Sequence, residues 1–349
     1  MNRLTTLVAA AGLAGLAVTA LPIAVAARAL PTEINQYLVG VAKFAPADTA
    51  ALEAGQVIAK VAPGGVEDEV VAVAAVKIRR PRKEVVAYFG QMVSYVDGQV
   101  TKGFGKFSNP PSLADVKGMS LDANDIAHLK SCKPADCDLR VGGAAIPKVR
   151  ASVNWAGPDA AGQVNTLLRQ SAVDYVSAYL TSGDDALVTY SDGSTPVSLK
   201  QQWQGLAQGS QYFQQYNPAL RDYLVQYPKS KLAGATDILY WVNEQYTGLK
   251  PVLSIVHAVV YDAPGQPDRT VIVQKQLYAS HYYDGSLALA VAIDGPDGTY
   301  LIYANRSRGD LLKGGFGGLK RKLAGDQARK AAAQTMETIK TVLEQQRAH

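Results

Sequence analysis

The last third of the chain carries the clearest pattern. Thr236 to Tyr246, Pro251 to Tyr261, Thr270 to Tyr283, Ser286 to Ile293 and Thr299 to Ser307 are runs rich in Val, Ile, Tyr and Leu. Such residues suit a pleated, half-buried surface, so each run predicts a strand. Gly248, Ala263-Pro264-Gly265, Asp284-Gly285 and Asp294-Gly295-Pro296-Asp297-Gly298 separate them, and Asp-Gly pairs favour tight hairpins. Five consecutive hairpin-linked strands predict an antiparallel meander. Beyond a Gly-rich passage, Leu319, Leu323, Met336, Ile339, Val342 and Leu343 recur on one face of a long helix. Residues 236–347 therefore read as a sheet with a terminal helix packed on it.

Upstream, the apolar runs Gln56 to Ala62 and Glu69 to Ile78 flank Pro63-Gly64-Gly65 and predict a hairpin. A helix follows, opened by Pro81, with Val85, Val86, Phe89, Met92 and Val93 at helical spacing. From Gly103 to Asp138 the chain is rich in Gly, Pro, Ser and Asp, and only Asp122 to Leu129 reads as a short helix. Helical periodicity returns over Asp159 to Leu180, Leu199 to Tyr216 and Pro218 to Gln226. Residues 159–228 thus read as a mainly helical insertion, and Lys229 to Gly234 as the internal boundary. The fold class is α+β: a single elaborated domain over 28–349, with an antiparallel meander closed by a long C-terminal helix.

The opening residues belong to a different class. Met1-Asn-Arg3 is positive, Leu7 to Ala27 is almost wholly apolar, and Ala24-Val25-Ala26 and Ala27-Arg28-Ala29 both offer small residues at the two positions a signal peptidase reads. This is the layout of a signal peptide, residues 1–27, and it predicts a periplasmic or secreted protein after cleavage. In that oxidising setting Cys132 and Cys137, the only two cysteines of 349 residues, are expected to form a disulfide closing a small loop. The alternatives need partners that the local sequence lacks: a metal site would have only His128 nearby, and neither cysteine begins a C-x-x-C-H. Lys and Arg exceed Asp and Glu by 35 − 30 = +5, without a run of five basic residues, so nucleic acid is not expected as a partner.

No G-x-S-x-G, H-E-x-x-H or Walker loop occurs, and no metal or cofactor is expected. The candidate polar residues come from strand alternation. His257 shares a face with Leu253, Ile255 and Val259, and Lys275 and His281 are the polar members of the more apolar face of the next strand. With Glu244 and Arg306 they form a candidate ligand-binding set in which a carboxylate and cations orient a head group; the competing reading is a salt-bridged structural network. Tyr is abundant, 18 against 6 Phe, and suits either a cavity wall or ordinary strands. The basic cluster Lys313, Lys320, Arg321 and Lys322 beside Gly314 to Gly318 is a candidate peripheral contact with an anionic membrane surface.

The order of elements, carried by Ile78 to Phe89 at one end and by Asn305 to Lys320 at the other, resembles the helix-grip fold of START-like (SRPBCC) proteins. The likeness covers about half the chain, and the helical middle departs from it. It implies a cavity between sheet and helix for a lipid or other apolar ligand, with cyclase-type enzymes as a minority. Lys275 to Tyr283 is similar to a segment of exported bacterial proteins and adds no function. The leading expectation is an exported binding protein for an apolar or amphipathic small molecule. The alternatives are a hydrolase or cyclase-type enzyme using a His/Glu pair, and an envelope protein that binds another protein.

Overall fold

The structure is a computed structural model, and it describes residues 30–94, 100–245, 248–309, 312 and 317–345. The signal-peptide segment and most of the Gly-rich passage before the last helix lie outside these residues. Among the described residues no helix is long and apolar enough to cross a membrane.

The chain begins with α1 (Thr32–Asn35), which runs into a π-helical turn (Gln36–Val41), and α2 (Pro46–Glu53). The hairpin is present as β1 (Ile58–Ala62) and β2 (Glu69–Ile78), followed by α3 (Arg82–Ser94) and β3 (Thr101–Lys106). The middle of the chain holds α4 (Ala123–Leu129), α5 (Ala145–Ser152), α6 (Ala160–Ser182), the two-residue strands β4 (Thr189–Tyr190) and β5 (Val197–Ser198), α7 (Leu199–Gly209), α8 (Gln211–Gln215) and α9 (Pro218–Gln226). The meander follows as β6 (Ala235–Glu244), β7 (Val252–Tyr261), β8 (Arg269–Ala279), β9 (Tyr283–Gly295) and β10 (Gly298–Gly309), and α10 (Gly317–Gln345) ends the chain.

Eight strands form one sheet in the order β1-β2-β10-β9-β8-β7-β6-β3, and each neighbouring pair is antiparallel. Its central strands are buried on both faces because helices lie on both. Every residue of β2 is buried, which accounts for its unbroken Val/Ala sequence. The first face packs on the N-terminal helices and the insertion. Val71, Val73, Val271, Val273, Leu287, Leu289 and Ile302 meet Ile34, Leu38, Leu52, Trp203 and Leu224 there. Trp241, Leu253, Ile255 and Leu277 meet Val173, Val176 and Tyr179 of α6. The second face packs on α3 and α10, where Val85, Phe89, Met336, Ile339 and Leu343 cover Ala74, Val76, Ala290, Ala292 and Leu301. Burying each of the large side chains contributes about 1.5–3 kcal/mol.

Three differences from the sequence pattern have local causes. The helix expected over Leu199 to Tyr216 breaks at Ser210, whose hydroxyl caps the start of α8 by accepting from the Phe213 amide, 3.5 Å away. In α10 the core stripe is Ala332, Met336, Ile339 and Leu343, whereas Leu319 and Leu323 are 60% and 57% exposed because, at about 100° per residue, they point away from that stripe. The helices Thr32–Asn35, Pro46–Glu53 and Ala145–Ser152, which lie outside the elements the pattern predicts, seat Ile34, Leu52 and Ile146 in the core. Cys132 and Cys137 are bonded, and the loop they close pairs with the β4 turn through the Ala135 and Cys137 amides.

Candidate functional site

Three of the five candidate residues lie in one row across the first face. The register pairs Leu239 with His257, His257 with Lys275, Lys275 with Leu287, Leu287 with Arg306 and Arg306 with Val71. Residues directly opposite one another share a face, so His257 and Lys275 are neighbours and Arg306 lies two strands, roughly 10 Å, beyond.

His257 is wholly buried, and both ring nitrogens are engaged. Nε2 is 2.8 Å from Asp237 Oδ1, and Nδ1 is 2.9 Å from the Tyr179 hydroxyl. The neutral tautomer that donates from Nε2 to Asp237 and accepts the Tyr179 proton at Nδ1 satisfies both contacts. Tyr223 donates to the second Asp237 oxygen at 2.6 Å, and the Tyr227 ring lies 4.5 Å from the imidazole. Burial pushes the imidazole below its usual range, against the pull of Asp237. Burial would raise Asp237, but the bonds from His257 and Tyr223 outweigh it and hold the carboxyl below its ordinary value.

Lys275 is sealed beneath α7 and α9. Its Nζ donates to Asp184 Oδ1 and, at 3.3 Å, to the Leu224 carbonyl, and it lies 4.5 Å from the Trp203 ring and 5.5 Å from that of Tyr179. Burial brings the ammonium down to about 8, against the opposing charge of Asp184, and pushes the Asp184 carboxyl up against the pull of Lys275. Asp184 is placed by Gly183, whose φ of +60° turns the chain out of α6; a Cβ there would lie 1.9 Å from the Tyr227 carbonyl oxygen. Arg306 donates to the Gly209 carbonyl at 2.6 Å and meets Glu69 Oε1 at 2.5 Å.

The other two candidates lie elsewhere. His281 is in the turn after β8, with Nε2 at 3.0 Å from both carboxylate oxygens of Asp125 on α4, and the buried pair Arg140–Asp284 is close by in the chain at 2.7 Å. Glu244 projects from the second face, since it opposes Val252 whereas His257 opposes Leu239, an odd number of residues away. The carboxylates beside the two histidines are therefore Asp237 and Asp125. Strand alternation leaves a signal for Asp237, two residues before Leu239 on the same face, but none for Asp184, Asp125 or Glu69.

The second face carries a polar patch of its own on the central strands. Gln276 Nε2 donates to Ser254 Oγ at 3.3 Å, Asn305 Nδ2 reaches Ser286 Oγ at 3.3 Å and the Tyr303 hydroxyl at 3.4 Å, and Ser286 and Ser307 hydroxyls are 3.3 Å apart. Gln276 Oε1 is buried without a hydrogen-bond partner among the described residues. Small side chains surround the patch: Ala72, Ala74, Ala258, Ala288 and Ala290 occupy the adjoining positions on this face. Tyr240, Tyr283 and Tyr303 come from three strands, and burial, then the negative charge of Glu244, push all three hydroxyls above their usual range. In Tyr303 the Asn305 bond opposes the rise.

A crevice between Ile34, Tyr37, Tyr212 and Leu289 holds about 10 Å³, room for one water at most. A polar cleft of about 110 Å³ opens at one end of the sheet, between Glu53, Lys77, Asp297, Lys340 and Glu344. No protein-family model matches the chain, and no curated protein matches it.

Proposed function

We propose that the protein is an exported carrier that binds an amphipathic small molecule between the second face of the sheet and the helices α3 and α10, in a helix-grip arrangement. The observation that carries this reading is the combination, on the central strands of that face, of alanines and serines with an under-bonded amide and a ring of tyrosines around Glu244. Small side chains keep this face low, the tyrosines supply apolar area with a polar tip, and the Gln, Ser and Asn groups supply donors and acceptors for a head group. The strand order supports the grip: β2 and the last strand of the meander are neighbours, and the helices that follow each of them, α3 and α10, share one face. Glu244 acts at this site. His257, Lys275 and His281 each engage a carboxylate of their own and act as ties between the sheet and its helices, whereas Arg306 shares Glu69 with Arg308.

The start of α10 supports a peripheral contact with the membrane. Leu319 and Leu323 stand exposed among Lys320, Arg321 and Lys322, an apolar pair framed by cations that suits an anionic lipid surface.

Native mass spectrometry of the protein from its own envelope tests the carrier reading. One amphipathic molecule per chain is expected, removable by solvent extraction and restored by host lipid extract. Ala288→Phe, which fills the space beside Gln274 and Asn305, is expected to lower retention at least tenfold while the far-UV spectrum is kept. A wild-type protein that is empty and gains no mass from the extract overturns the carrier.

A further inference from the structure

The cluster formed by Arg306, Arg308 and Glu69 lies on the first face, on the opposite side of the sheet from the proposed carrier site and independent of it. Arg306 and Arg308 are neighbours on one side of β10, and Glu69 sits across from them at the start of β2. Glu69 Oε1 is 2.5 Å from Arg306 Nη2, and Oε2 is 3.4 Å from Arg308 Nη2. The other contacts of the two guanidiniums are the Gly209 carbonyl, 2.6 Å from Arg306 Nη1, and Gln202 Oε1, 3.3 Å from Arg308 Nη1.

Two guanidiniums carry about ten N–H donors. Arg306 Nε and Arg308 Nε are sealed from solvent without a hydrogen-bond acceptor among the described residues, while Arg306 Nη2 faces Glu69 Oε1. The charge is as unbalanced as the hydrogen bonding. His257 and Lys275, in the same row, each have a carboxylate, whereas among the described residues these two arginines share one, and the side chains are only 11% and 12% exposed. Burial and then Arg308 work to lower the Arg306 guanidinium, opposed by Glu69. Glycine shapes the surroundings. A Cβ at Gly205 or Gly209, one turn apart on α7, would lie 2.5 or 2.6 Å from a guanidinium nitrogen, and one at Gly65 would lie 3.4 Å from Arg306 Nη2. The Pro63-Gly64-Gly65 turn that flanks the cluster is exposed.

We infer that this cluster is a binding site for a phosphate-type oxyanion, which enters past the Gly64-Gly65 turn and accepts from the unmatched N–H groups of Arg306 and Arg308. A planar, delocalised fork matches tetrahedral oxyanions in a way that a point charge does not, and one anion would neutralise the surplus positive charge. The phosphate has two possible sources, the free ion or a phospholipid head group.

The test is thermal melting of the full chain with inorganic phosphate against chloride at equal ionic strength, and with phosphatidic acid vesicles against phosphatidylcholine vesicles. With phosphate or phosphatidic acid a saturable rise in Tm is expected, about 5 °C at a hundredfold excess over Kd. Phosphate alone would identify the free ion, and phosphatidic acid alone the head group. Arg308→Gln is expected to abolish the rise, and Arg308→Lys, which keeps the charge and loses the fork, to cut affinity about tenfold. A wild-type Tm that follows ionic strength alone with both probes overturns the inference, as does an unchanged phosphate response in Arg308→Lys if Arg308→Gln fails to fold.

Discussion

Asp184→Ala is expected to cost about 3–5 kcal/mol of stability, read as a lower urea midpoint at unchanged slope. The size follows from what remains around Lys275. Its ammonium has one carbonyl, Leu224, and the faces of two rings, and none of these carries a full negative charge. Replacing both partners, as in Asp184→Leu with Lys275→Met, is expected to return stability to the wild-type level or above it, because two buried charges and their desolvation are removed together. The pH dependence separates the pair from an ordinary packing defect. Lys275 falls from 10.5 to about 8 on folding, so between those values the unfolded chain holds a proton that the folded chain has released. Stability from this group therefore rises with pH across that window and is diminished below about 8. Asp184 is raised, so its contribution is full below 3.8 and is lost as pH rises through the folded value. Lys275→Met is expected to flatten the rise in stability between pH 7 and pH 9.5. An unaltered slope in that variant would show that Lys275 titrates no differently in the folded chain.

The meander was legible because both of its signals are local. Alternation needs only the residues of one strand, and Asp294 to Gly298 marks its own turn, so five strands could be read singly and joined in sequence order. The same period placed His257 and Lys275 on apolar faces, and the sheet brings them side by side. Arg306 belongs to their row through the pairing of β8 with β9 and of β9 with β10, a register that no single strand encodes. The counter-charges were less accessible. Asp184 arrives from the end of α6, 91 residues before Lys275, and Asp125 meets His281 across 156 residues. Glu244 was grouped with the cations by charge, but its odd spacing from His257 across the β6–β7 hairpin sends it through the sheet to the tyrosines. Leu319 and Leu323 are exposed because, at about 100° per residue, they fall away from the stripe set by Ala332, Met336, Ile339 and Leu343, so counting apolar residues along α10 without their phase overstates its buried face.

Glu69→Gln is expected to lower stability by about 3 kcal/mol in chloride buffer, since the isosteric amide leaves two buried guanidiniums without a carboxylate. The backbone is unchanged by this substitution and the Gln side chain still offers one acceptor, so the loss reports charge more than shape. Phosphate separates the two roles open to the cluster. If Arg306 and Arg308 only tie β10 to β2 and α7, the variant is weakened equally in chloride and in phosphate. If they hold an oxyanion, removal of the competing carboxylate makes the anion the sole counter-charge, so phosphate restores most of the lost stability and binds more tightly than to the wild type. Chemical denaturation of both proteins across a phosphate titration at constant ionic strength gives the coupling between Glu69 and the anion directly. A sum of independent effects in that cycle would leave Glu69, Arg306 and Arg308 as a structural clasp alone.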